Sequence, residues 1–220
     1  PKATALGGNP LRFHFSLEVA GHVFGSPDPG PDYRYIPSPT GDVLTYGEAY
    51  AEFISRGFSS EAYHVYMESR GLDYIVLYPT TGLFATAVPG LDPKAAAAIR
   101  KAYNDWVYDF CNDGTGKLLG VGSLDLRDVD LAIQEARRCT KELGLKGLYV
   151  LPDPPLPGVP LNHSYYDPLW AAIAELQVPL GIHEATGHHL DPVGVGHLTG
   201  SGISYANKAL SFGLGAMVAA

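Results

Sequence analysis

The chain has 220 residues, of which 46% are hydrophobic and 17% are charged, so it can bury a sizeable core within one domain over residues 1–220. The formal net charge of -8 and the lack of any basic run argue against a nucleic-acid-binding protein, because phosphate neutralisation needs clustered Lys and Arg. No stretch approaches the roughly 18 uninterrupted apolar residues of a membrane-spanning helix. These properties favour an enzyme or a binding module that acts on small molecules.

The two cysteines and the two chain ends also limit the interpretation. Cys111 and Cys139 lie inside predicted helices, with neither the number nor the spacing of a disulfide framework or a thiolate metal site. A reducing, cytoplasmic location is the simplest prediction. The chain starts at Pro1 without a Met and ends in "GAMVAA" within an apparent helix, so we expect both ends to be truncations.

Residues 1–60 differ in composition from the rest of the chain. The stretch "FGSPDPGPDYRYIPSPTGD" is dense in Pro, Gly and Asp, which permits turns and extended pieces but no long helix. We therefore expect an irregular N-terminal excursion. The following "SSEAYHVYMESRG" predicts a helix with Ser59 or Ser60 as its cap and Gly71 as its end.

From residue 72 onwards short apolar strands alternate with amphipathic helices. The strands are predicted near residues 74–78, 118–124, 147–151 and 179–183. Asp92, Asp128 and Asp167 are the predicted N-caps of the three intervening helices. The apolar stripe of the first of these helices is predicted at Ala97, Ile99, Tyr103, Trp106, Val107 and Phe110.

Continuously apolar strands that alternate with helices are typical of parallel βα units. An open doubly wound sheet and part of a (β/α)₈ TIM barrel both fit this pattern. No Gly-rich phosphate-binding fingerprint follows any strand, and every strand ends in polar or turn residues. In a barrel those ends form one rim, where active sites are built. We therefore predict an α/β fold of the parallel (β/α)₈ type, incomplete within this chain.

Several candidate site residues lie at the predicted rim. His183 ends the last strand in "VPLGIHEATGHHLD", where it serves either as a ligand or catalytic group or as a core histidine bonded to a backbone carbonyl. Tyr78, Thr80 and Ser123 would line a pocket at the rim, unless they serve only turns and caps. The turn or cap role is favoured for Asp125 and Asp153, and His64 and His163 are assigned to structure.

The runs "AYNDWVYDFC", "YYDPLWAAIAELQ" and "VPLGIHEATG", in this order over residues 60–190, resemble the amidohydrolase-related family that includes aminocarboxymuconate semialdehyde decarboxylase. The resemblance implies a metal-dependent (β/α)₈ barrel that hydrolyses or decarboxylates small carboxylated, often aromatic, substrates. It also implies that His183 is a metal ligand, with zinc as the expected divalent metal.

The chain departs from the family pattern in its other ligands. The paired ligands one residue apart on the family's first strand have no counterpart here, since His14 and His22 are not so spaced. The later histidine and aspartate ligands would follow the "KALSFGLGAMVAA" segment. Glu184 is predicted to contact substrate, or else to be a salt-bridge or loop carboxylate. His188, in the loop after the strand, is predicted to overhang the pocket and contact substrate, or else to be a solvated histidine.

The sequence therefore predicts part of a metal-dependent hydrolase or carboxy-lyase whose substrate is a small organic acid. The alternative is a partial barrel without catalysis that serves as a binding or assembly module. The 220-residue chain by itself is expected to be inactive, because one assigned ligand cannot complete a catalytic zinc site. Unpaired strand edges would promote association, so a homo-oligomer is expected, without nucleic acid or membrane as a partner.

Overall fold

A computed structural model describes residues 2–5, 15–24, 34–37, 43–45, 51, 53, 55–79, 81–86, 88, 90–151, 155–159 and 161–183. The chain divides into two compact units, of which the first contains Pro1–Ala85 and Asp109–Leu119. The second contains Thr86–Tyr108 and Gly120–Ala220. The arrangement as a single domain over residues 1–220 stays a prediction.

Short antiparallel strands form the start of the first unit. Strands β1 (Lys2–Ala5), β2 (Phe15–Val19) and β3 (His22–Phe24) make a three-stranded sheet. Strands β4 (Arg34–Pro37) and β5 (Val43–Thr45) pair separately. The expected turns and extended pieces are therefore confirmed for these segments, whereas the pairing of the strands into sheets was not predicted. Strands β2 and β3 are joined by a two-residue turn at Ala20 and Gly21. Their φ angles of 49° and 81° are positive, as in the tight turns that match the right-handed twist of a β-hairpin.

The rest of the first unit joins a helix to the first strand of the main sheet. Helix α1 (Ser60–Arg70) ends at Gly71, which adopts a left-handed φ of 63° and donates its N–H to the Glu68 carbonyl. Strand β6 (Ile75–Leu77) follows, and the Ile75 N–H donates to the Lys117 carbonyl at 3.0 Å. The predicted helix end at Gly71 is confirmed, whereas Ser59 stands at the N-cap without a side-chain hydrogen bond.

The remaining strands and helices complete the alternating pattern. The helices are α2 (Pro93–Cys111), α3 (Val129–Arg137) and α4 (Asp167–Leu176), and a π-helical turn at Arg138–Glu142 extends α3. The strands are β7 (Leu118–Ser123), β8 (Gly147–Val150) and β9 (Leu180–Ile182). Both α2 and β7 run from one unit into the other.

The main sheet has the strand order β6-β7-β8-β9, as predicted. Strands β7 and β8 pair in parallel, with Ser123 opposite Tyr149. Strands β8 and β9 also pair in parallel, with Tyr149 opposite Gly181. The predicted parallel α/β fold is confirmed, and the carboxyl ends of β7, β8 and β9 lie at one edge of the sheet.

Two of the three predicted aspartate caps are confirmed. Asp92 accepts a hydrogen bond from the Ala95 N–H at 3.0 Å, and Asp128 accepts one from the Leu131 N–H at 3.0 Å. The cap assigned to Asp167 is wrong, because a 3₁₀ turn at Ser164–Tyr166 leads directly into α4. The Nδ1 of His163 caps that turn by accepting the Tyr165 N–H, so His163 has the structural role that was expected.

The buried face of α2 differs from the predicted apolar stripe. Its buried residues are Ala96, Arg100, Asn104 and Val107, whereas Trp106 is 56% exposed. The spacing of four residues is helical, but two of the buried positions are polar. Hydrogen bonds to other parts of the second unit compensate the burial of these two side chains.

Within the described segments, no helix combines the length and the apolar character needed to cross a membrane.

Candidate active site

His183 lies at the carboxyl end of β9 and is partly exposed. Its backbone N–H donates to the Val150 carbonyl of β8 at 3.0 Å, which fixes the end of the strand. Its imidazole contacts the Tyr149 ring, with the ring centres 5.8 Å apart and the planes at 60°. His183 is therefore neither fully buried nor packed only within the core, and it stands at the edge where the parallel strands end.

Tyr149, which contacts His183, also takes part in a buried group of polar side chains. It is fully buried, and Arg100 of α2 donates from Nη1 to its hydroxyl at 3.2 Å. The Arg100 guanidinium also lies 5.9 Å from the centre of the Tyr149 ring and donates from Nη2 to the Thr86 hydroxyl. Burial raises the pKa of Tyr149 above its ordinary value of 10, and Arg100 and Ser123 offset part of that rise. The phenol therefore remains protonated at neutral pH.

Ser123 ends β7 on the same face as Tyr149 and is fully buried. Its backbone N–H donates to Asn104 Oδ1 at 2.6 Å, and Asn104 Nδ2 donates back to the Ser123 carbonyl at 3.0 Å. The Ser123 hydroxyl makes no hydrogen bond of normal geometry within the described residues, although it lies close enough to Tyr149 to lower the pKa of the phenol. Asn104 therefore completes the hydrogen bonding where β7 ends.

A charged network extends behind Asn104. Its amide donates to Glu135 Oε1 at 2.7 Å, and Arg138 donates to both oxygens of the same carboxylate. Burial acts to raise the pKa of Glu135, but the hydrogen bonds from Arg138 and Asn104 outweigh it and the pKa is lowered. Arg138 also bonds to Asp105 at 2.6 Å, so this network joins α2 to α3.

The segment after β7 contains a second buried arginine. Arg127 pairs with Asp125 at 2.6 Å and donates to the carbonyls of Thr86 and Val88 at 2.8 and 3.0 Å. Asp125 also accepts the Arg127 backbone N–H at 3.0 Å, which is the turn role that the sequence favoured. Arg100 and Arg127 thus both donate to this segment, Arg100 to the Thr86 hydroxyl and Arg127 to the Thr86 and Val88 carbonyls.

The sequence identified some of these residues and missed others. His183 and Ser123 are connected through Tyr149, which touches the first and lies opposite the second. Tyr78 belongs to the other compact unit and is 42% exposed, so it stays a predicted pocket residue. Thr80, Asp153, Glu184 and His188 lie outside the described residues. Arg100, Asn104 and Tyr149 were missed, although Arg100 and Asn104 stand one turn apart on α2 after buried Ala96.

A catalytic metal would need several donor side chains close together. Across the residues that the structure describes, no group of three His, Cys, Asp or Glu side chains could hold a metal ion. His183 would supply one ligand, and the others would have to come from outside those residues. The described residues alone therefore do not fit a complete metal centre.

Comparison with known proteins gives one family match. The family model described as "Amidohydrolase" matches residues 31–200 of this chain. A gamma-resorcylate decarboxylase of Rhizobium radiobacter is 30% identical over 122 residues, which are 53% of this chain and 36% of that protein. A gamma-resorcylate decarboxylase of Rhodococcus jostii is 30% identical over 125 residues, 53% of this chain and 37% of that protein. The chain thus spans a little over a third of these curated relatives.

A solved structure supports the fold. The crystal structure of 2,6-dihydroxybenzoate decarboxylase complexed with 2,6-dihydroxybenzoate has a TM-score of 0.56 and 24% sequence identity to this chain. The match covers 70% of this chain and 48% of that protein. At this identity the likeness bears on the fold alone, and it agrees with a partial barrel of parallel βα units.

Proposed function

Because this chain belongs to the amidohydrolase family, we propose that it carries part of the active site of a decarboxylase that acts on a small hydroxylated aromatic carboxylic acid. The curated relatives that match it are decarboxylases of gamma-resorcylate, which is 2,6-dihydroxybenzoate. Decarboxylation is therefore favoured over hydrolysis, the other reaction that the sequence left open. The structural observation that carries the proposal is His183 at the carboxyl end of β9, with its backbone and its ring both held by β8.

The proposed reaction breaks the bond between a ring carbon and the carboxylate carbon. CO₂ leaves, and the ring carbon takes up a proton in its place. A divalent metal, when bound, would supply positive charge to orient the acid and stabilise the charge that develops during the reaction. We assign no step to it, since the described residues contain no group of three candidate ligands.

Zinc is the metal that we propose, with manganese as the alternative to be tested, because imidazole and carboxylate ligands suit both ions. Tyr78, Thr80, Ser123, Glu184 and His188 are the proposed substrate contacts and His183 the proposed ligand. We also propose a homo-oligomer and a reducing cytoplasmic location, the latter supported by the free thiols of Cys111 and Cys139.

The test uses the protein expressed from its complete gene, loaded in turn with Zn²⁺ and Mn²⁺. We expect 2,6-dihydroxybenzoate to be converted to 1,3-dihydroxybenzene and CO₂, followed by chromatography. His183→Gln should abolish the conversion, while His163→Gln, at a histidine that only caps a turn, should retain it. A folded, metal-loaded protein that converts no hydroxybenzoate would contradict the decarboxylase. A folded protein that retains no metal would favour the binding or assembly module.

A further inference from the structure

We propose that Tyr149, itself held by Arg100, is a positioning residue for the imidazole of His183. The inference rests on the proposed role of His183, since a ligand or catalytic histidine must present a defined ring orientation. It assigns a role to two buried residues.

The first step is that the backbone alone does not orient the His183 ring. The hydrogen bond from the His183 N–H to the Val150 carbonyl fixes the main chain and leaves both side-chain torsions free. The contact with the Tyr149 ring, at 5.8 Å between centres, lies within the usual range for packed aromatic pairs. This ring contact restricts the imidazole plane.

The second step is the register of the sheet, which makes the ring contact possible. Tyr149 stands opposite Gly181, two residues before His183 and on the same face of the sheet. Because Gly181 has no side chain, nothing from β9 stands between the Tyr149 ring and the next side chain on that face, which is His183.

The third step is that Tyr149 is itself immobilised. Its hydroxyl accepts a hydrogen bond from Arg100, whose guanidinium also lies 5.9 Å from the ring centre. Arg100 is 2% exposed and is fixed in turn by its bond to the Thr86 hydroxyl. Tyr103 makes a further edge contact with the Tyr149 ring at 6.5 Å. The immobilised Tyr149 ring can therefore restrict the orientation of the His183 ring that it contacts.

The competing explanation is that Tyr149 only fills the core. In that case its loss would destabilise the protein without a specific effect on His183, as would the loss of any buried side chain of similar importance. Val107 on α2 is 1% exposed and serves as the matched control, because Val107→Ala also removes buried volume from the second unit.

The experiment is NMR of the 220-residue chain with isotope-labelled histidine, without added metal. The His183 ring signals are assigned by their loss in His183→Gln. In the unaltered chain we expect nuclear Overhauser contacts between the Tyr149 and His183 rings. In Tyr149→Leu the His183 ring protons should move toward the values of an unstructured histidine, whereas Tyr149→Phe, which keeps the ring, and Val107→Ala should leave them close to those of the unaltered chain.

Three results would overturn the proposal: no contact between the two rings in the unaltered chain, unchanged His183 signals in a folded Tyr149→Leu protein, or an equal displacement in Val107→Ala. The first requires no substitution, so the proposal stays testable if Tyr149→Leu fails to fold.

A separate measurement distinguishes this proposal from the proposed function. In the protein from the complete gene, Tyr149→Leu should lower kcat by roughly 10- to 100-fold, the range found when groups that orient a metal ligand are removed, with Tyr149→Phe closer to the unaltered enzyme. Ring contacts present in a protein that converts no hydroxybenzoate would overturn the function and leave the positioning role intact. An active enzyme in which Tyr149→Leu leaves the His183 ring signals unchanged would overturn the positioning role and leave the proposed function intact.

Discussion

Asn104 shows how one buried polar side chain can decide local stability. It is fully buried and exchanges two hydrogen bonds with the Ser123 backbone while donating to Glu135. Asn104→Ala would leave a buried N–H, a buried carbonyl and part of a carboxylate without this partner. We expect it to lower the free energy of unfolding by about 2–4 kcal/mol, because unsatisfied buried polar groups each cost about 1–3 kcal/mol.

Urea unfolding measures this loss. Lys101→Ala is the control, because Lys101 lies on the exposed face of the same helix and its replacement should change the free energy of unfolding by no more than about 0.5 kcal/mol. Equal stabilities of the two variants would show that Asn104 is dispensable for the end of β7.

His64 and Asp113 form a pH-dependent contact within the first unit. His64 Nε2 bonds to Asp113 Oδ2, and Asp113 Oδ1 accepts from the N–H and the hydroxyl of Thr115 at 2.9 and 2.7 Å. Asp113 and Thr115 both approach the same His64 nitrogen, which is not the arrangement of a catalytic relay. The assignment of His64 to structure is consistent with these contacts.

This contact predicts the direction of a pH effect. Burial acts to raise the pKa of Asp113, but the hydrogen bonds from His64 and Thr115 outweigh it and hold the pKa below its ordinary 3.8. The folded state therefore gains stability from the ionised carboxylate above the ordinary pKa, and that gain disappears as the pH falls below 3.8 through the lowered value. The difference in Tm between the unaltered chain and Asp113→Asn should be full near pH 6 and shrink toward pH 2.5.

Thermal melts across that range are the measurement. Asp73→Asn serves as the control, since Asp73 is an exposed carboxylate of the same unit. A Tm difference for Asp113→Asn that stays constant with pH would rule out a contribution from the ionised side chain.

At the level of elements, β7 is covered unusually closely by the π-helical turn that extends α3. A Cβ added at Gly122 would come within 2.9 Å of Cys139 Sγ and 3.0 Å of Leu148 Cδ2. We expect Gly122→Ala to destabilise the protein by about 1–3 kcal/mol through overpacking. Gly147→Ala on β8 is the control, because its Cβ would meet its nearest neighbours at 3.4 Å.

Chemical denaturation compares these two variants, and Cys139→Ala supplies an internal check. Combined with Gly122→Ala, it should recover part of the lost stability, because it removes the closest of the clashing atoms. If the two losses of stability simply add in the double variant, the π-helical turn moves away from β7 without strain and overpacking is not the cause.

Elements whose determinants are local could be predicted from the sequence. Asp92 and Asp128 cap their helices, Gly71 ends α1, and the four strands of the main sheet occur in the predicted order. The predicted apolar stripe of α2 was wrong in part. Val107 is buried as predicted and Trp106 is exposed, and Arg100 and Asn104 are also buried, by partners at positions 86, 123, 135 and 149. Such partners are distant in sequence. A prediction from helical periodicity alone places polar side chains on the exposed face, even where distant partners allow their burial.

The same reason limits what could be predicted about the site. His183 at the end of β9 follows from strand periodicity, but its contact with Tyr149 depends on the register between β8 and β9. The antiparallel hairpin of β2 and β3 was hidden because Glu18 and His22 interrupt the apolar residues. Alternation with a two-residue turn would have predicted it.

At the level of the whole molecule, one face of β6 bears on association. Val76 within the strand is 53% exposed, and Tyr74 and Tyr78, which flank the strand, are 65% and 42% exposed. An apolar face of this kind promotes association. We expect Val76→Lys to shift the chain toward the monomer in sedimentation velocity, compared with Lys94→Ala, an exposed change on α2. A chain that is already monomeric at high concentration would contradict the predicted homo-oligomer.

The last prediction concerns metal binding by the 220-residue chain itself. Catalytic zinc sites usually need three protein ligands, whereas the described residues contain no group of three candidate ligands and His183 is the one ligand that we propose. We therefore expect dialysis against a chelator to remove any metal, and we expect added Zn²⁺ to leave Tm almost unchanged, because weak binding stabilises the folded state only slightly. Elemental analysis after dialysis and thermal melts with and without Zn²⁺ or Mn²⁺ are the measurements. A metal retained in equimolar amount and lost in His183→Gln, but kept in His163→Gln, would mean that ligands outside the described residues complete the site within this chain.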